Sequence, residues 1–230
     1  MVSKGAVFSE TFSAQVGEIT RVYRERQSIL TLMRQLNRLI SAIQIHRGVS
    51  LAHLAGDGLF TDDVTQIQAQ INHRWQVFRL SVDGFETLIS PQEQQNIQHS
   101  WNMVSHDWEG DALLENFEYH SFLIDQLLQI SGGLGRELES PLDSHNAAQS
   151  TSAHEESVLG LVCRKIPELI EYLARVRGLA THSAVVGRCD DEHQKKLRYW
   201  VQCVERQSRG LTQGEALHES LEKTLKLDWP

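Results

Sequence analysis

Apolar side chains in this chain recur at alternating intervals of three and four residues, and that habit confines the fold. A period near 3.5 residues marks one face of an α-helix, whereas a half-buried strand alternates every second residue. One run is Ile29, Met33, Leu36, Ile40, Ile43 and Leu54, and another is Val64, Ile67, Ile71, Trp75, Phe78, Val82 and Phe85. Ile97, Trp101, Val104 and Trp108 form a third, and Leu113, Phe117, Ser121, Ile124, Leu128 and Ser131 a fourth. The fifth is Leu159, Val162, Ile166, Ile170 and Leu173. After it come Leu197, Trp200, Val201, Val204 and Leu211, then Leu217, Leu221 and Leu225. The spacing predicts an all-α fold, with helices over 29–55, 63–89, 92–108, 112–131, 154–187 and 191–210.

Local chemistry sets the breaks. Residues 9–26 are polar and only partly periodic, and they lead into the first helix as its frayed start. Gly56-Asp57-Gly58 ends that helix, Thr61-Asp62-Asp63 caps the next, and Ser90-Pro91 opens the third at its first turn. From Ser131 to Ser152 the chain holds Gly132, Gly133, Gly135, Pro141 and a Ser/Asn/Ala-rich run, which is the composition of a linker. The expected organisation is a first antiparallel bundle over 1–134, a linker over 135–153 and a second bundle over 154–230, forming one compact unit. Pro167 is expected to kink its helix, and Gly187 to end it.

Composition narrows the function classes. A formal charge of −8 argues against nucleic acid, and between Asp83 and Glu156 fourteen acids face one base, Arg136. No apolar run approaches the ~18 residues that span a bilayer, and the N-terminus lacks the hydrophobic core of a signal peptide. A cytoplasmic location is expected. Cys163, Cys189 and Cys203 form no CxxC pair and fit a reducing compartment. The eleven histidines show no repeated metal-ligand spacing; Glu215 with His218 is a single ExxH. With no phosphate loop, nucleophile elbow or Ser/Cys-His-Asp arrangement, no catalytic residue, metal or cofactor is expected.

Two arginines break the apolar pattern in the same way. Counting on from Ile43, the next seam position is Arg47, within Gln44-Ile45-His46-Arg47-Gly48-Val49-Ser50. Counting on from Leu173 gives Arg177, followed by Gly178. The two stretches align without a gap at an offset of 130 (177 − 47), which also pairs Arg34 with Arg164, Leu39 with Leu169 and Ile40 with Ile170. This reads as an internal duplication of two halves. A guanidinium at a seam position is costly unless it is paired. One reading has each arginine snorkel to water or pair with an internal carboxylate. The other makes them an anion site, because the guanidinium fork matches a planar oxyanion.

The same residues carry a family resemblance. Gln44 to Ser50, with Leu54, Gly56, Asp57 and Phe60, resembles the first motif of the nitrate- and nitrite-sensing (NIT-type) helical domains of bacterial histidine kinases and chemoreceptors. Glu115-Asn116-Phe117 with His120, Pro141-Leu142-Asp143, and Ile166-Pro167-Glu168-Leu169 leading to Arg175 and Arg177 resemble later parts of that pattern, in order. The resemblance implies two linked helical bundles that hold nitrate or nitrite through arginines, with Arg47 and Arg177 as ligands. Arg34, Arg164, Arg175 and Arg198, with His46 and Ser50, are further candidates. His46 and Val176 stand where the family has glutamate before the arginine. The partners implied are the anion, a signalling protein and a second copy of the chain. The alternative is a helical interaction or scaffold module that keeps the fold without the ligand.

Overall fold

A computed structural model describes residues 4–56, 61–82, 88–106, 108–139 and 158–212. Among them the elements are α1 (Lys4–Leu54), α2 (Thr61–Val82), α3 (Pro91–Ser105), a 3-10 turn (Trp108–Gly110) and α4 (Leu113–Glu139). Next, α5 (Val158–Gly160), a π-helical turn (Leu161–Lys165) and α6 (Ile166–Val186) form one continuous run, and α7 (Asp191–Thr212) follows. No strand is present among the described residues, as the periodicity required. Phe85, most of the expected linker and the run Leu217, Leu221 and Leu225 lie outside the described residues.

Most of the first four apolar runs buries as the spacing predicts, with Leu54, Ile67 and Leu113 only partly covered. Ile29, Met33, Leu36, Ile40 and Ile43 of α1 meet Ile71, Trp75, Phe78 and Val82 of α2. Ile97, Trp101 and Val104 of α3 and Ile124 and Leu128 of α4 complete the core of this bundle. The cross-pairs His46–His120 and Ser50–Asn116 show α1 and α4 running antiparallel. At the head of α3 the Ser90 Oγ accepts from the Glu93 N–H at 3.2 Å, and the Glu93 carboxylate accepts from the Ser90 N–H at 2.8 Å. That reciprocal cap explains why Ser90-Pro91 starts a helix. Gly56 (φ 94°) and Gly187 (φ 72°) take the left-handed conformation after α1 and α6, where a side chain would be strained.

Two expectations need correction. The glycine run read as the start of a linker is helix interior, because α4 continues to Glu139. Gly135 is there for contact: a Cβ at that position would lie 2.7 Å from the Cys163 Cβ. Pro167, where a kink is expected, acts on the turn before it. It cannot donate to the carbonyl four residues back, and the preceding turn widens to π, with the Ile166 N–H bonding to the Leu161 carbonyl. The Cys163 carbonyl, left without that donor, accepts from the Ser131 hydroxyl at 3.4 Å.

The second correction concerns the fifth apolar run. Val162, Ile166, Ile170 and Leu173 are 52%, 37%, 51% and 49% exposed, whereas Glu171, Arg175 and Leu179 are buried. α6 therefore turns the opposite face inward. At the offset of 130, buried Arg47 corresponds to exposed Arg177, and exposed Ile45 corresponds to buried Arg175. The like environments that a duplication requires are not seen.

Candidate functional site

The inward face of α6 meets α1 at its arginine. Arg47 is 2% exposed, and its Nη1 and Nη2 donate to the two carboxylate oxygens of Glu171 at 2.6 and 3.1 Å. Nη1 also donates to Ser121 Oγ at 2.9 Å, and the guanidinium carbon lies 5.3 Å from the centre of the Phe117 ring. One turn along α6, Arg175 Nε donates to the same carboxylate at 2.6 Å. Its Nη2 reaches Asp125 at 2.5 Å and the Ser121 carbonyl at 3.2 Å. The Gln44 amide adds a fourth donation to Glu171, at 2.9 Å. The two arginines and two carboxylates balance in charge.

Burial alone would raise the Glu171 pKa, but Arg47 and Arg175 outweigh it and hold the carboxyl below its usual range. Asp125 goes the other way, because its burial, with the nearby Glu171 carboxylate, outweighs the pull of Arg175 and Arg47. Glu171 is therefore the firmly ionised member, and the arrangement suits a planar, delocalised oxyanion: two guanidinium forks converge on it from different helices.

Beside the cluster, His46 and His120 are both buried, with His46 Nδ1 and His120 Nε2 2.6 Å apart. His120 Nδ1 must donate to the Asn116 carbonyl at 2.7 Å, so its Nε2 accepts from the His46 Nδ1–H. His46 Nε2 is then an acceptor, and it is buried with no partner among the described residues. Burial lowers the His46 pKa to about 4, and burial together with His46 and Arg47 takes His120 well below its usual value. Ser50 Oγ donates to Asn116 Oδ1 at 3.0 Å, one turn beyond Arg47.

A cavity of about 830 Å³ opens against the cluster, between α3–α4 and the pair α6–α7. Asp125, Glu171 and Arg175 line it, as do Trp200, Arg136 and Arg164. Arg175 lies over Trp200, 4.3 Å from the ring centre. No group of three His, Cys, Asp or Glu side chains among the described residues is placed to hold a metal. No family model, curated protein or solved structure matches the chain.

The structure thus brings Arg47 and Arg175 together, with His46 and Ser50 beside them on α1. Arg177, Arg34, Arg164 and Arg198 are exposed, and Arg164 lines the cavity wall. Sequence reasoning missed Glu171, Asp125, Gln44 and the His46–His120 pair. Two signals were available. Glu171 stands four residues before Arg175, the spacing of a helical ion pair. Ser121 occupies an apolar-run position, which marks a polar group turned inward.

Proposed function

We propose that this chain is a non-enzymatic helical sensory module that takes a small planar oxyanion of the nitrate or nitrite class at Arg47 and Arg175. One observation carries the reading: two arginines from distant parts of the chain converge on a single carboxylate at the wall of a cavity. The Glu171 carboxylate has the shape and charge of such an anion, so a ligand enters by exchanging with it. That exchange loosens the hold of α6 on α1 and passes ligand state to a partner protein. Arg175 replaces Arg177 as the second ligand in this reading.

The test is calorimetry with nitrate on the wild type, Glu171→Gln and Arg175→Ala. Glu171→Gln removes the competing charge and keeps both guanidiniums, so it should bind nitrate more tightly than the wild type and melt at a higher temperature when nitrate is added. Arg175→Ala should lose binding by roughly thirtyfold to a thousandfold, from a loss of ~2–4 kcal/mol. If neither the wild type nor Glu171→Gln binds nitrate, the arginines serve the fold alone. The second reading then takes over: a helical interaction module without a ligand, favoured by the exposed apolar side of α6.

A further inference from the structure

We propose that the outer face of α6 is a homodimer interface, on which a second copy of this chain packs α6 against α6 about a two-fold axis. The face is Val162, Ile166, Ile170 and Leu173, continued by Arg177, Ala180 and Ala184, all exposed. These positions keep the three-and-four spacing that interlocks two helices, yet no element among the described residues lies over them. Single exposed aliphatics are ordinary; four on one stripe, each 37–52% exposed, are not.

Shape favours a second copy as the occupant. α6 and α7 are a two-helix hairpin, joined by the stacked pairs Tyr172–Trp200 and His182–His193. Two such hairpins placed back to back make a four-helix bundle, and a self-complementary stripe is what a two-fold contact requires. From Val162 to Ala184 the stripe is ~33 Å long, and a hairpin is ~20 Å wide. That face is close to the roughly 800 Å² per partner that a stable interface buries.

Charge permits the pairing. The stripe holds no carboxylate, so the chain's excess acid does not oppose itself across the contact. Its one charge, Arg177, lies ~6 Å along the helix from Leu173, the midpoint of the stripe. In an antiparallel pair centred on Leu173, the two Arg177 side chains stand ~12 Å apart along the axis, beyond the ~8 Å screening length of physiological salt. Alanines at the Ala180–Ala184 end let the backbones approach closely.

Sedimentation equilibrium of the full chain tests this. The wild type should have the mass of a dimer at micromolar concentration. Ile170→Glu and Leu173→Glu, each still helical by circular dichroism, should raise the dimer dissociation constant roughly a hundredfold or more. Phe122→Glu, at an exposed apolar residue of α4, should leave it unchanged. A monomeric wild type overturns the proposal: uptake of a hydrophobic dye would then mark the face as open, and its absence would mark the face as covered by other residues of the same chain. A dimer that survives Ile170→Glu and Leu173→Glu also overturns it, by placing the interface elsewhere.

Discussion

Arg47 is legible in the sequence because it interrupts an apolar run, and an interruption on a buried face has to be answered by a partner. The answer, Glu171, is not legible, because the two are brought together only when α6 crosses α1. Arg175 and Arg177 are two residues apart, nearly opposite each other around the helix. The choice between them depends on which face turns inward, and there the apolar count followed the wrong side. The histidines beside the cluster give a pH prediction. His46 titrates near 4 when folded and near 6.5 when unfolded, so unfolding takes up protons between those values. Keeping it neutral costs nothing above pH 6.5 and up to roughly 3 kcal/mol of stability as pH falls toward 4. Urea denaturation at pH 7.5 and pH 5 should show stability falling, and His46→Gln should flatten that slope. An equal slope in both proteins would mean that other groups carry it.

Among the elements, α1 to α4 follow the sequence because most of each inward face is apolar, and the buried polar residues of α1 and α4, such as Arg47 and Ser121, interrupt runs that continue on the same face. α6 does not, since its inward face holds Glu171 and Arg175 while its aliphatics point outward. A hydrophobic count finds buried faces only where burial and apolarity coincide. The glycines of α4 separate two reasons for glycine. Gly133→Ala meets nothing closer than Arg136 Nη2 at 3.8 Å, so it should stabilise the protein by up to ~1 kcal/mol through helix propensity. Gly135→Ala must push its Cβ against Cys163 in the π turn and should cost ~1–3 kcal/mol despite the same gain. Chemical denaturation of both variants tests this. Opposite signs are expected, and matching signs would mean that the α4–π-turn contact yields easily.

At the scale of the whole molecule, α1 joins the parts. Its middle carries the core, its C-terminal third carries Arg47, and residues 15–28 run beyond the described neighbours with almost every side chain exposed. That segment keeps its helix through local pairs: Arg21 bridges Glu18 at 2.5 Å and Glu25 at 2.7 Å. Such pairs contribute little when solvated, so amide exchange should be fast over 15–28 and strongly protected over 32–47, within one unbroken helix. Uniform protection along α1 would show that the exposed segment is covered in solution. Within the expected second bundle over 154–230, the inward face of α6 was not recoverable from apolar spacing, because Glu171 and Arg175 are buried by their bonds to α1 and α4.

The continuity of α1 also has a mechanical consequence. From Arg47 back to Gln15 the axis is ~48 Å long, with no proline and no described break in its hydrogen-bond ladder. A rod of that kind transmits twist. A small turn of α1 at Arg47 swings the exposed Val16, Ile19 and Tyr23 through the same angle at the far end. The cluster and the bare end of the helix thus work as the handle and the bit of one shaft.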